Sequence, residues 1–354
     1  MQSSTAQVAS FSVLQAREPG WIYRKGWDLS FLIFSAVLVP LPLLFAELAE
    51  RTGWLTRNQA IDIVNILVAG LIGGPHLYST FTLTYLNRSF LRRYPLYAGA
   101  SALLPAVVIY LGLYHYTALI FLFFTWASIH VLHQIIYITD CYRVRAGFQE
   151  PLWSRLLDYG VILTGLYPMG LYKLSQGQFR VAGVVLPYPD FLRPFPIPEA
   201  AAVVFFSLLL AWVAKTAVEI WQDRVSYPKT LLIAVTATVS FFLPMASNMD
   251  VGFQGYNTWH SFQYMFLFWL INRLRYERGE VDNTLVQRLV SKPSMLPYYL
   301  FFVGVTGAVV LLVLLVRLVT PLTPDQSYFI VILSTLLIHY YFDHFLFTRT
   351  EYVV

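Results

Sequence analysis

TALIFLFFTWASIHVLHQIIYI, residues 117–138, decides the fold: its 22 residues include no Asp, Glu, Lys or Arg. At a rise of roughly 1.5 Å per residue, about 20 apolar residues of helix cross a hydrocarbon core of ~30 Å. In water, a helix this uniformly apolar would have no face to solvate. The segment therefore reads as a membrane-spanning helix. It is no plain anchor, however, because His130 and His133 stand inside it. An ionisable side chain at that depth is costly, rare and usually functional.

The same pattern recurs along the chain. Apolar stretches of similar length lie at 29–48, 61–86, 96–114, 156–173, 199–219, 229–247, 255–272, 297–317 and 327–347. The expected fold is all-α, a polytopic transmembrane helix bundle of about ten spans, forming a single integral-membrane domain over 1–354. Composition agrees: 57% of residues are hydrophobic, 12% are charged and the mean hydropathy is +0.59, whereas soluble domains carry about 25% charged residues. Trp21, Trp27, Trp54 and Trp153 fall near span ends, where aromatic belts form. The lone Cys141 excludes an intramolecular disulfide framework. The first twenty residues lack the apolar core of a cleaved signal peptide, so the first span is expected to direct insertion.

Charge sets the orientation. The N-terminal stretch, the loops after even-numbered spans and the C-terminal stretch, with the adjoining span ends, hold 17 Lys/Arg, against 6 at the loops after odd-numbered spans, and Lys215 lies within a span. Both termini are then expected to be cytoplasmic, with the cytoplasmic (inner) membrane of a prokaryote as the location. The sequence pI of 9.1 comes from these scattered flanking residues, so no nucleic-acid partner is expected. Two connections are long. The Pro-rich 174–198 is expected to be external and irregular, a possible lid across the bundle. The charged, amphipathic 274–296 is expected to rest on the cytoplasmic surface.

Four histidines share one depth. His76, His130 (with His133 one turn on), His260 and His339 precede the next flanking arginine by 12, 13, 13 and 10 residues, to Arg88, Arg143, Arg273 and Arg349. All lie in even-numbered spans, which run in the same direction, so their imidazoles stand ~15–20 Å from one face. A single intramembrane His can merely hydrogen-bond a neighbouring helix. Four at one depth point to a metal site, because neutral imidazole ligates Fe, Zn or Cu without losing a proton. The candidate ligands are His76, His130, His133, His260 and His339.

A metal-bound His commonly gives its other N–H to a carboxylate or amide. Asp343, at i+4 from His339, and Gln134, Gln263 and Asn257 are available for this. Gln263 and Tyr264 follow His260 at i+3 and i+4, on the same broad face. Asp343, Tyr264 and Gln263 are the candidates for catalytic roles. Gly73-Gly74-Pro75 interrupts the helix just before His76, a break tolerated in membranes where it lines a cavity or meets a ligand. His115 reads as interfacial. His344, at i+5 from His339, points ~140° away from it.

These segments resemble the Brp/Blh family of membrane-bound β-carotene 15,15′-dioxygenases, non-haem iron enzymes that make retinal. The matching patches are GGPH (His76), ASIH (His130), NTWHSFQY (His260) and IHYYFDHFLF (His339 and Asp343), about forty residues in all. The resemblance implies that His76, His130 and His260 are iron ligands. Two departures accompany it. Thr80 stands where the family has an acid after its first His. Tyr264 or Gln263 stands where it has the second His of a pair, leaving His133 or His339 to supply the missing ligand.

The expected activity is that of a membrane-embedded, His-ligated Fe(II) oxygenase, with Zn or Cu as other possible metals. It would use O2 on an apolar substrate taken from the membrane lipids, with oxidative cleavage of a carotenoid as the specific reading. Two further classes stay open on sequence. A di-iron lipid hydroxylase or desaturase usually carries eight or more box histidines, and this chain has seven His in total. A metal- or haem-binding carrier or a proton-coupled transporter would more often show paired His at two depths or inverted repeats.

Overall fold

A computed structural model describes residues 12–13, 16–147 and 149–353. In chain order its principal helices are α1 (Lys25–Arg51), α2 (Arg57–Thr82), α3 (Pro95–Tyr114), α4 (Tyr116–Ala146), α5 (Leu152–Thr164), α6 (Tyr167–Ser175), α7 (Ile197–Trp221), α8 (Tyr227–Met245), α9 (Met249–Glu277), α10 (Thr284–Val290), α11 (Leu296–Val319) and α12 (Pro324–Leu346). Among the described residues the only strands, β1 (Arg180–Val181) and β2 (Val184–Val185), form a short antiparallel hairpin.

Eight helices, all but α5, α6, α9 and α10, are long and apolar enough to cross a membrane. The chain is an integral membrane protein. The most apolar helix is also the least covered by protein: α11 has a mean hydropathy of 2.7 with 11% of its window buried, against 1.5 and 50% for α12. That is the reverse of a soluble fold, and it follows when the surrounding solvent is hydrocarbon.

The expectation of about ten apolar spans is corrected at two places. The stretch 156–173 is divided into α5 and α6 at Gly165–Leu166. Pro168 has no N–H to offer the Thr164 carbonyl one turn back, which interrupts the ladder there. Both pieces pack along α7. The stretch 255–272 lies within α9, which is continuous for 29 residues but is too polar to qualify. Of those 29 residues 23 are buried, so α9 is an axial helix that faces protein on nearly every side. It can carry Gln254, Asn257, His260, Gln263 and Asn272 because none of them has to meet lipid.

Close packing fixes α9 against α1. Within α1 the backbone loosens to a π-helical turn over Asp28–Ile33, and the Leu32 carbonyl accepts a hydrogen bond from Gln263 Nε2 at 2.6 Å. Trp27 and Phe31 stack on Phe266 with ring centroids 5.6 and 5.2 Å apart. At Gly255 a Cβ would lie 2.1 Å from the Val39 carbonyl oxygen, so only glycine permits this approach of the two backbones.

The two ends of the bundle differ. At one end the N-terminal segment reaches α9 through Val13 N–H to Glu277 Oε1 at 2.9 Å. There too the Tyr137 hydroxyl of α4 donates to the Arg349 carbonyl at 3.1 Å. Both described termini therefore share the arginine-rich end. At the other end the hairpin of 174–198 packs Val181, Ala182 and Leu186 on Ile120 and Met249, and Ala182 N–H donates to Asp250 Oδ1 at 2.9 Å. In 274–296 the amphipathic helix is only the seven-residue α10, because α9 runs on to Glu277.

A buried ionic knot joins four other helices. Asp158 of α5, fully buried, accepts from Arg143 Nη2 of α4 at 3.0 Å and from Lys215 Nζ of α7 at 2.5 Å. Lys229 Nζ of α8 lies 3.2 Å from its second oxygen and also pairs with Glu150. Removing one member of such a group strands the remaining charges and typically costs about 3–5 kcal/mol. Asp158→Ala is therefore expected to lower the thermal unfolding midpoint of the detergent-solubilised protein sharply. An unchanged midpoint would show that the knot does not hold the helices together.

Candidate metal centre

Four helices contribute one imidazole each. His76 comes from α2, His130 from α4, His260 from α9 and His339 from α12, and none is more than 4% exposed. Successive ring centroids lie 5.0 Å (His76–His260), 5.0 Å (His260–His130), 4.9 Å (His130–His339) and 4.9 Å (His339–His76) apart. The rings thus form a closed four-membered circuit with almost equal sides. Ligand atoms of His76, His260 and His339 all fall within 4.8 Å of one another, as do those of His130, His339 and Asp343.

The local backbone of α2 explains how His76 enters. A π-helical turn over Ala69–Gly73 precedes it, an irregularity frequent at functional sites. Pro75 cannot donate to the Leu71 carbonyl, and the Tyr299 hydroxyl of α11 donates to it instead at 2.7 Å. At Gly74 a Cβ would lie 2.3 Å from Thr306 Cγ2, so glycine lets α11 press against the break. The Gly-Gly-Pro run is thereby satisfied by α11, and His76 is turned inward.

The ring nitrogens are incompletely partnered. His76 Nε2, His260 Nδ1, His339 Nε2 and Asp343 Oδ2 are buried without a hydrogen-bond partner. Such atoms cost on the order of 1–3 kcal/mol each when left unsatisfied. His130 Nε2 and His260 Nε2 face each other at 3.2 Å. Two nitrogens bound tetrahedrally to one ion at ~2.0–2.1 Å would stand ~3.3 Å apart. The donor set, its spacing and its orphaned atoms fit a divalent metal ion.

The outer contacts are equally specific. His339 Nδ1 lies 2.5 Å from Thr80 Oγ1 and 3.4 Å from Asp343 Oδ2. Tyr264 OH donates to Asp343 Oδ1 at 2.8 Å and also meets Thr80 Oγ1. A proton held on His339 Nδ1 by Thr80 Oγ1, with the Asp343 carboxylate nearby, leaves Nε2 as a lone-pair donor, an arrangement akin to the oriented histidines of metal sites. Gln134 Nε2 donates to the His260 carbonyl at 3.2 Å, which holds the main chain of α9 beside α4. Aromatic rings close the walls: Tyr340 stacks on His130 at 4.2 Å and Phe268 on Tyr264 at 3.9 Å.

Two expected site residues stand elsewhere. His133 pairs with the exposed His344, ring centroids 5.1 Å apart, and touches Phe347. Gln263 bonds Leu32 and accepts from Gln134 at 3.0 Å. Helix geometry gives the reason, because at 100° per residue i+3 and i+4 fall about 60° to one side and 40° to the other of the reference residue. From His130, the i+4 side meets α9 through Gln134 and the i+3 side turns His133 towards α12. From His260, the i+4 side brings Tyr264 to the cluster and the i+3 side takes Gln263 to α1. His339, not His133, supplies the fourth imidazole. His115 is exposed in the α3–α4 turn, as expected.

Sequence reasoning missed two contacts. Thr80 reads only as a departure from a family pattern, yet it is i+4 from His76 and on the same face, a signal that was available. Ser261 Oγ lies 2.9 Å from His76 Nδ1, and nothing in its spacing announced that. No family model, curated protein or solved structure matches this chain.

Single replacements separate the inner ring from its neighbour. His76→Ala, His130→Ala, His260→Ala and His339→Ala are each expected to abolish or greatly reduce metal content in elemental analysis of the purified protein. His133→Ala should retain the wild-type content. Equal loss in His133→Ala would show that the ligand set is wrongly drawn.

Proposed function

We propose that this chain is a membrane-embedded non-haem iron oxygenase that cleaves a carotenoid drawn from the bilayer, in the inner membrane of a prokaryote. The observation that carries the reading is the closed circuit of four buried imidazoles with unpartnered nitrogens, one from each of four helices. His76, His130, His260 and His339 would hold Fe(II), which when bound supplies the activation of O2. Neutral nitrogen ligands leave the ion's positive charge largely uncompensated, with Asp343 the one carboxylate in contact.

The protein's own groups have definable tasks. Thr80 holds the His339 Nδ1 proton and so orients that ring, with the Asp343 carboxylate beside it at 3.4 Å. Tyr264 donates to Asp343, which keeps the buried carboxylate hydrogen-bonded whatever its charge. Tyr340, Phe347 and Phe268, packed around His130 and Tyr264, exclude water from the centre. In the overall reaction one C=C bond of the substrate breaks, and each carbon receives one atom of O2 to give two aldehydes. The resemblance of the four histidine patches to carotenoid-cleaving membrane enzymes supports this choice of substrate.

The test is production of the chain in a host that accumulates β-carotene. Loss of pigment with appearance of a C20 aldehyde in lipid extracts is expected, and His260→Ala should restore the pigment. Unchanged pigment in a host shown to contain iron-loaded protein would overturn carotenoid cleavage.

A further inference from the structure

A single-file row of polar side chains leaves the metal centre on the His76 side and runs along α9 away from the arginine-rich end. Ser261 Oγ lies 2.9 Å from His76 Nδ1 and donates to Asn257 Oδ1 at 3.2 Å. Asn257 Nδ2 donates to Gln254 Oε1 at 3.3 Å, and Gln254 Nε2 donates to Asn65 Oδ1 of α2 at 3.0 Å. Ser261 and Gln254 are buried. Room for this row is provided at Gly73, where a Cβ would lie 2.7 Å from Asn257 Nδ2.

The row has a direction. A hydroxyl has one proton, and that of Ser261 is committed to Asn257. Its oxygen can then only accept from His76, which, together with the Gly73 carbonyl beside the same ring, places the proton of that imidazole on Nδ1. His76 Nε2, buried and without a protein partner, is left with a lone pair aimed into the four-histidine circuit. Reversing the row would put N–H on Nε2 and remove this ligand.

We propose that Ser261, Asn257, Gln254 and Asn65 are positioning residues whose hydrogen-bond polarity holds His76 in its Nδ1–H tautomer and so presents Nε2 as a metal ligand. The inference deepens the metal-centre reading and rests on it. It assigns to α9 a second task besides supplying His260. It also accounts for two features that packing alone does not require: an asparagine wedged against Gly73, and an amide pair joining α2 to α9 one helical turn further on.

Asn257 is the informative position, because Asn257→Ala leaves Ser261 and its contact with His76 in place. Without its acceptor the Ser261 hydroxyl is free to donate to His76 Nδ1. Two readouts apply. The first is the tautomer of His76 in metal-free protein labelled with 15N-histidine, read from the ring nitrogen shifts and assigned with a His76→Gln sample. The second is the affinity for Co(II), titrated by its visible absorption. The expected result is Nδ1–H in the wild type, a shift towards Nε2–H in Asn257→Ala, and a fall in affinity of about 10- to 100-fold, as for other partners of ligating histidines. Asn257→Asp, which restores the acceptor, should recover both.

Nε2–H in the wild type, or an Asn257→Ala protein with unchanged tautomer and affinity, would overturn the proposal. Failure of the metal reading itself looks different. Wild-type protein that takes up no Co(II) while His76 stays Nδ1–H would support the hydrogen-bond row and remove the metal.

Discussion

The structure turns on the cost of burying imidazole nitrogens and a carboxylate where no water can reach them. Four rings and Asp343 occupy a space almost closed to solvent, and several of their polar atoms find no protein partner. Unpaired groups of this kind are expensive in water-soluble cores and more so in a membrane. A cation bound among them would satisfy the lone pairs aimed at it, those of His76 Nε2 and His339 Nε2 included, which is the physical reason to propose a metal centre over packing. Helix-to-helix hydrogen bonds alone would have paired these nitrogens with carbonyls or hydroxyls, as they do at His339 Nδ1.

The rest of the fold follows from keeping those groups together. α9 is polar because it is the axis, shielded from lipid by the helices around it. Room for it comes from backbone irregularity, π-helical turns in α1 and α2, and from glycines at 73 and 255 where side chains would collide. The carbonyls released by these breaks are taken up by Gln263 and Tyr299. The knot around Asp158 ties α4, α5, α7 and α8 from the side. Helix α4 belongs to both systems, carrying His130 to the centre and Arg143 to the knot.

Much of this was legible in the chain. Apolar runs of span length announced a helical membrane bundle, and the similar distances from histidine to arginine, 10 to 13 residues, announced a common depth. Depth is a one-dimensional quantity that residue counting delivers well. Azimuth is not. Whether His133 or His339 faced inward depended on how α4 and α12 are rotated, which is set by packing against several partners at once. Gln263 and Tyr264, adjacent in sequence, diverge for the same reason. Hydropathy marked 255–272 but neither the full 29-residue extent of α9 nor its enclosure by protein, since an enclosed helix need not look apolar along its length. The Asp158 knot was not legible because its members are spread from 143 to 229, and charges inside apolar stretches, such as Asp158 and Lys215, do not reveal their partners.

The central claim is that four imidazoles share one iron. X-ray absorption at the iron edge of the purified protein tests it most directly. The account predicts about one iron per chain, surrounded by nitrogen at ~2.1 Å with the outer-shell carbon scattering of four imidazole rings. A spectrum showing haem pyrroles, sulfur ligation or fewer than three imidazoles would contradict it.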